Sequence, residues 1–462
     1  MKYQFTDEEI HNQKLKVFSE NPELELIAPC KIGEGILRLT SAEKEKYSDI
    51  YRKHQKPISF FIPASGSGSR MFQFLHDFID EPNDTNRSHV ERFLNSIADF
   101  AFFKQIPEEW QTILLNQSVS FEEIVAYLLD KEGLNFGHLP KGLIPFHNNE
   151  TAILNPFQEQ VIHGAELGNT DLSFHFTIQM AYENEIQQAI QSIKSSKTSF
   201  SEQSVDTNSI AFKESGDVFL NDDGEIVSRP AGHGALLSHL NKINDEIIFI
   251  KNIDNVQHPK NTAIAIDTWQ ELGGVLLQFK KDASVVFSNP TTESLIDLNK
   301  KYQVYSASQL EKCSTTEEIK ALLNRPTRVC GMVKNEGQPG GGPFWINDQG
   351  IISKQIVEKS QILNNADQNK ILMQSTHFNP VLIASSLVSL EGKKLALNDF
   401  CDDKKYFIVH KKHHGQKIRF IELPGLWNGG MAFWNTIFVE VPNATFSPVK
   451  TVLDLLDEAH ND

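Results

Sequence analysis

The sequence predicts an α/β protein: a mixed, mostly parallel sheet with helices on both faces, a helical insertion and a C-terminal α+β extension. Three observations lead there. Continuous apolar runs rich in β-formers, such as ISFFIPA at 58–64 and EIIFIKNID at 246–254, stand out along the chain. Stretches of helical spacing about 10–15 residues long separate such runs, the signature of parallel strands joined by crossover helices. The 462 residues are 40% hydrophobic and 23% charged, a globular composition that excludes disorder over the whole length.

Residues 1–56 read as polar helices, with the charge-rich stretch Thr40 to Gln55 a solvated face. ISFFIPA is a buried strand that runs into SGSGS. RMFQFLHDFI follows with helical spacing at Met71, Phe74, Leu75 and Phe78. From Ser88 to Lys131 the pattern stays helical. Next come a helix at 155–167, a strand at 171–178 and a helix at 183–193. A loose loop is expected at 195–209, and a hairpin at 218–227 turning on Asp223-Gly224. GHGALLSHLNKI at 232–243 reads as a helix and 246–254 as a buried strand. The part from Thr315 to Asp462 mixes strand signals with glycine-rich loops and ends in an amphipathic helix, TVLDLLDEAH. The expected division is an N-terminal helical region (1–56), a main domain (57–385, insertion at about 73–135) and an extension (386–462).

With 44 basic and 60 acidic residues, the net charge of −16 makes nucleic acid a poor partner. Any anion bound here must meet a local cluster of cations, a metal or backbone N–H groups. Cys30, Cys313, Cys330 and Cys401 have no zinc-site spacing and are too few for a disulfide scaffold. The stretch MKYQFTDEEI lacks a signal-peptide core, and no window approaches the ~18 apolar residues a membrane helix needs. The expectation is a soluble protein of the reducing cytoplasm, with no membrane partner. Phe is strongly favoured over Tyr, 31 to 8, which has no functional reading at this level.

Five segments carry chemistry. In PASGSGSRMF (63–72) a buried strand reaches a turn of small residues and a helix starts at once. Gly66 and Gly68 would adopt φ > 0 and let the backbone approach a ligand. The N–H groups around Ser65, Ser67 and Ser69 would form an anion site, with Arg70 forking onto phosphate oxygens. A tight strand-to-helix turn with serine caps would look the same. In HLPKGLIPF, Pro140 and Gly142 hold Lys141 in an irregular loop as a point charge for phosphate, or leave it an ordinary surface lysine. In RPAGHGALLSHL, Gly232, His233 and Gly234 open a helix. They suit close approach of something planar or anionic, or merely a glycine-capped start. IIFIKNIDNV ends in Lys251, Asn252, Asp254 and Asn255. A carboxylate beyond a strand's carboxyl end suits Mg²⁺, or caps the next helix. Near the C-terminus, NEGQPGGGPFW, THFNPV, PGLWNGGMAFWNT and FSPVKTV are rich in Asn, Trp and Gly, which suits a hydroxylated ligand. Glu336 and Asn379 are the hydroxyl-binding candidates there, and Lys450 a second phosphate cation.

The order of these pieces is informative: a glycine loop with Arg70, then PKG-xx-P, a helix carrying Phe157-Gln158, a helix opening with GHG, a strand ending in DN, and FxPVK before Asp454. The series resembles the sugar-nucleotide pyrophosphorylases, especially the UDP-sugar (UDP-N-acetylhexosamine) branch. More closely still, it resembles an uncharacterised bacterial family catalogued as a domain of unknown function. The resemblance runs from about residue 58 to 457. It implies a nucleotide-diphospho-sugar transferase fold of the GT-A, Rossmann-like kind. It further implies nucleotidyl transfer from an NTP, UTP first, to a sugar 1-phosphate, with release of pyrophosphate and Mg²⁺ as cofactor. By resemblance, Ser65, Gly66, Ser67, Gly68 and Ser69 cradle the nucleotide phosphates and Arg70 lies near the leaving pyrophosphate. Lys141 and Lys450 lie near phosphate, Gly232 and His233 near the nucleoside. Asp254 holds the metal and Asn255 meets the sugar; apart from the resemblance, Asp399, Asp402 and Glu440 are the open candidates for a second metal carboxylate. The family's loop runs closer to GGxGTR, whereas Ala64-Ser65 and Ser69 stand here. NEGQPGGGPFW also replaces the usual acidic sugar-side stretch, which leaves the sugar open. A nucleotide-sugar-dependent glycosyltransferase and a non-catalytic nucleotide-sugar sensor are the alternative readings. The first commonly pairs two carboxylates as Asp-x-Asp, and position 252 is Asn.

Overall fold

The computed structural model describes residues 4–19, 24–149, 151–168, 171–193, 197–337, 341–348, 350–362, 365–413 and 416–461. The fold class is α/β, with mostly parallel strands accompanied by helices. The chain forms two compact units, and neither is a contiguous segment. One holds residues 1–59, 203–250 and 269–441; the other holds 60–202, 251–268 and 442–462. The boundaries expected at 56/57 and 385/386 therefore do not separate the units. Among the described residues no helix is long and apolar enough to cross a membrane.

In the first unit the strands lie in the order Lys31–Ile32, Gly35–Leu37, Asn435–Glu440, Thr327–Lys334, Ile383–Ser386, Ile247–Ile250. The first four run parallel to one another, and Ile383–Ser386 is antiparallel to the strands on either side of it. Thr327–Lys334 is buried at every residue but the last, and Ile247–Ile250 throughout, as continuous apolar runs at the centre of a sheet require. The N-terminal stretch departs from the all-helical expectation. Helices Asp7–Phe18 and Ser41–Arg52, each opened by a Thr/Glu capping box, flank the strands Glu25–Pro29, Lys31–Ile32 and Gly35–Leu37. Glu25–Pro29 pairs with Gly342–Asp348, more than 300 residues away, so no local pattern marks it. The hairpin on Asp223-Gly224 forms as expected: Asn221 N–H donates to Glu225 O at 2.9 Å, and Gly224 has φ 77°.

In the second unit the strand Ile58–Pro63 enters from residue 58 and neighbours Leu172–Thr177, which runs parallel to Lys197–Ser201. That last strand occupies part of the segment expected to be a loose loop, whose residues 195–196 lie outside the described ones. The insertion is helical as expected: Gln73–Asp80, Asp84–Asn95, Glu108–Asn116 and Phe121–Leu129, joined by 3₁₀ turns. Its core accounts for much of the phenylalanine excess. Phe72 stacks on Phe136 at 4.9 Å and Phe100 on Phe102 at 5.2 Å, and Phe93 packs against Phe100 at 5.2 Å. Val256, Val449, Val452 and Leu455 join this cluster, so the segments carrying Asp254 and Lys450 are anchored to it. The expected C-terminal α-helix is instead two 3₁₀ turns, Val452–Leu456 and Glu458–His460. Asp454 folds back to accept the N–H groups of Lys450 at 2.6 Å and Thr451 at 2.8 Å, which closes a tight turn there.

Candidate active site

The glycine loop follows the strand Ile58–Pro63 and is laced to the segment that carries Lys141. Gly68 N–H donates to Leu139 O at 2.8 Å, and Lys141 N–H donates to Gly66 O at 3.0 Å. This close backbone pairing is what Gly68 is for. A Cβ there would lie 2.5 Å from Ile144 Cδ1 and 3.0 Å from Leu139 O. The expected positive φ is absent from both Gly66 and Gly68, so the loop needs glycine for space and not for a left-handed turn. Ser67 caps the 3₁₀ helix Gly68–Phe72 by accepting the Ser69 N–H at 3.1 Å, and the two hydroxyls bond each other at 3.0 Å. Ser65 O accepts Gln179 Nε2 at 2.8 Å. The N–H groups of Gly66 and Ser67 meet no protein acceptor among the described residues, which leaves them for an anion.

Asp254 is the focus of the charged groups. Its Oδ2 accepts Lys141 Nζ at 2.7 Å and Lys450 Nζ at 3.0 Å. Its Oδ1 is buried without a hydrogen-bond partner among the described residues. Burial alone would raise the Asp254 carboxyl, but the two ammonium groups hold it below its usual range. Burial draws the Lys141 ammonium down, Asp254 pulls it up, and Lys450 and Arg70 press on it as like charges. Arg70 itself is exposed. Arg70, Lys141 and Lys450 therefore share one electrostatic neighbourhood. Their exposure differs: the Lys141 side chain is 12% exposed and that of Lys450 58%.

Several bonds hold this arrangement. Gln160 Nε2 donates to Asn252 O at 3.0 Å and Ile253 O at 3.3 Å, pinning the turn before Asp254. Asp254 O accepts Val449 N–H at 3.1 Å. Both ends of the Asn255 amide are engaged. The residue was assigned to the sugar, and its Oδ1 accepts Ser447 N–H at 2.9 Å and its Nδ2 donates to Thr445 O at 3.2 Å. Both ends of this buried amide clamp the segment leading to Lys450.

Beneath lies a buried polar network that the sequence reading missed. His147 Nδ1 bonds Glu159 Oε1, and His147 Nε2 bonds His460 Nδ1 at 2.8 Å, with the His258 ring edge-on to His147. Burial pushes Glu159 well above the usual carboxyl range and lowers His147 to about 3 and His460 to about 4. The two imidazoles are thus neutral near pH 7, while burial drives Glu159 toward its protonated form. Burial also lowers Lys251, at the end of the apolar run IIFIK, to about 7, opposed by Glu159. The available signal was in the helix Pro156–Glu166, where Glu159, Gln160 and His163 occupy buried positions beside Phe157 and Val161.

The remaining candidates belong to the other unit. Gly232 has φ 78° and starts the 3₁₀ helix His233–Leu236, and a Cβ on Gly234 would come 2.2 Å from Pro424 O. The glycines of this turn thus serve its own backbone packing, and the His233 side chain lies outside the described residues. The helix expected over 232–243 shortens to this turn and Leu237–Leu240. Asn379, the other asparagine assigned to the sugar, is bonded in the same way. Its Nδ2 donates to Gly331 O at 2.9 Å and its Oδ1 accepts Val381 N–H at 3.1 Å, so the buried amide ties the turn before Ile383–Ser386 to the strand Thr327–Lys334. Glu336 is exposed, and residues 338–340 of NEGQPGGGPFW lie outside the described ones. Glu440 is engaged by Arg38 at 2.5 and 2.9 Å, and Asp402 by Lys405 at 3.1 Å. Among the described residues no three His, Cys, Asp or Glu side chains cluster to hold a metal.

The fold has solved counterparts. The UDP-N-acetylglucosamine pyrophosphorylase of Trypanosoma brucei, in complex with an inhibitor, aligns with a TM-score of 0.50 at 12% identity, covering 98% of this chain and 75% of that one. A protein of Entamoeba histolytica described as a UDP-N-acetylglucosamine pyrophosphorylase aligns at 0.47 and 12% identity, covering 94% and 84%. No curated protein matches the sequence. A family model described as "Domain of unknown function (DUF4301)" matches residues 1–461.

Proposed function

The chain belongs to the DUF4301 family, and we propose that it is a nucleotidyltransferase that joins an NTP, UTP first, to a sugar 1-phosphate and releases pyrophosphate. One observation carries this reading: Lys141 and Lys450 converge on Asp254, with Arg70 close enough to act on Lys141, beside a glycine loop with unspent N–H groups. In a chain of net charge −16, such a local excess of cations is what a triphosphate tail requires. The pyrophosphorylase-like fold agrees with it.

The chemistry asks for alignment and charge neutralisation more than for a base. An oxygen of the sugar phosphate, already anionic, forms a bond to the α-phosphorus. The bond from that phosphorus to the bridging oxygen of the β-phosphate breaks, and pyrophosphate leaves with the electron pair. Lys141, buried and fixed, would hold the phosphates in place. Lys450, more exposed, would turn from Asp254 to the incoming anion, and Arg70 would fork onto the leaving pyrophosphate. The N–H groups of Gly66 and Ser67 would add donors along the chain of phosphates. Mg²⁺ fits this donor set: it is commonly held by one or two carboxylates plus substrate phosphates, and the unpartnered Asp254 Oδ1 offers one such ligand. Bound there, it would supply further charge neutralisation at the phosphates.

The test incubates the protein with UTP, CTP, GTP or ATP, Mg²⁺ and a panel of sugar 1-phosphates. Pyrophosphate release that requires both substrates supports the reading. Release of free nucleoside diphosphate from a nucleotide sugar would favour glycosyl transfer instead. Nucleotide-sugar binding with no exchange of labelled pyrophosphate would favour a sensor.

A further inference from the structure

The unit containing residues 269–441 carries a cavity of about 640 Å³, within the range of small-molecule sites. It sits at the amino ends of two neighbouring parallel strands. Arg325 lies just before Thr327–Lys334, and Phe433 and Trp434 just before Asn435–Glu440. Ligands of open α/β sheets bind beyond the opposite, carboxyl ends. The nucleotidyl-transfer reading therefore leaves this cavity without a use.

Its charges are unevenly matched. Three carboxylates line it, and each is already engaged. Glu318 accepts the N–H groups of Ser314 and Thr315, both at 2.9 Å, while Asp348 and Asp402 share the Lys405 ammonium at 3.0 and 3.1 Å. Arg325 differs. Half-buried, with burial drawing its guanidinium below the usual range, it has no hydrogen bond or ion pair among the described residues. A desolvated guanidinium without a counter-charge is costly, and an anion that forks onto it offsets that cost. Tyr305, Phe433 and Trp434 give the lining an aromatic portion, and Lys312, Lys354 and Lys404 add further cations to it. Trp434 brings a second unmet group, since its Nε1 is buried without an acceptor among the described residues.

We propose that this cavity binds a small organic anion, with its carboxylate or phosphate paired to Arg325 and its flat, apolar body against Tyr305, Phe433 and Trp434. Arg325 fixes the headgroup because a planar fork matches two anionic oxygens. The aromatic wall selects for a ring or a similarly flat body and disfavours inorganic phosphate alone.

The experiment titrates phenyl phosphate and benzoate calorimetrically into the full-length protein and three variants. Arg325→Gln removes the charge. Ala321→Phe fills the cavity from an exposed helical position on its wall. Lys141→Ala alters the triphosphate site instead. The expected result is saturable one-to-one binding of at least one probe, at least tenfold weaker in Arg325→Gln and in Ala321→Phe, and unchanged in Lys141→Ala. The preferred probe identifies the headgroup as phosphate or carboxylate. Binding of neither probe, unchanged affinity in Arg325→Gln, or loss of binding in Lys141→Ala overturns the proposal. Should thermal denaturation show Arg325→Gln unfolded, Ala321→Phe decides in its place, and unchanged affinity there has the same force.

Discussion

Asp254 and Asn379 are both buried polar residues, one in each compact unit, yet they differ in what they leave over. The Asn379 amide is consumed at both ends by backbone groups of its own neighbourhood. Asp254 has two cations on one oxygen and nothing on the other, and one of those cations, Lys141, also feels the charge of Arg70. A polar residue whose bonding capacity is spent on the fold is explained by the fold. Crowded like charges and an unpartnered carboxylate oxygen are not, because they cost stability unless something binds there. The contrast separates functional from architectural polar groups without reference to residue type.

Lys141→Ala is the strongest way to break the contrast. It should lower the rate of pyrophosphate release ~100-fold, about 3 kcal/mol in the barrier by analogy with removal of an oxyanion donor. Circular dichroism should be unchanged, since Lys450 still pairs with Asp254. Asn379→Ala should do the reverse. Leaving Gly331 O and Val381 N–H unpaired is expected to cost about 2 kcal/mol in urea unfolding, with polyphosphate binding retained. A smaller effect sharpens the role of the glycine loop. Gly68→Ala should cost about 1 kcal/mol, because Ile144 can rotate aside but Leu139 O cannot, and nucleotide affinity should fall with it.

The smallest effect tests the buried network. His460 has its pKa lowered to about 4 by burial, so the unfolded chain takes up its proton first as the pH drops. The stability this group contributes is complete above about pH 6.5 and is lost as pH falls from there toward 4. His460→Gln cannot titrate, so its urea midpoint should fall less steeply than that of the unaltered protein across that interval. Parallel slopes would remove His460 from the acid response.

Some of this was legible in the sequence for a physical reason. Ile58–Pro63 and Ile247–Ile250 are central strands, and burial on both faces forces a continuous apolar run that needs no knowledge of partners. Lys141 and Lys450 stood out because proline and glycine neighbours restrict them. What stayed hidden depended on distant partners. Asn255 was assigned to the sugar by resemblance and Asn379 because an asparagine in a loop advertises its amide, and nothing local reveals that Thr445, Ser447 or Gly331 will bond to it. The glycines of the GHG turn read as space for a ligand, while the space at Gly234 is taken by Pro424 O. The short N-terminal strands were invisible because strands of two to five residues have too few alternations to show a period.

The account rests on a polyphosphate being the guest of Arg70, Lys141 and Lys450, and inorganic tripolyphosphate with Mg²⁺ tests it whatever the base or sugar. Calorimetric titration should show saturable binding to the unaltered protein, weakened at least tenfold in each of Arg70→Ala, Lys141→Ala and Lys450→Ala. Equal affinity in all four proteins, or none in any, would contradict it.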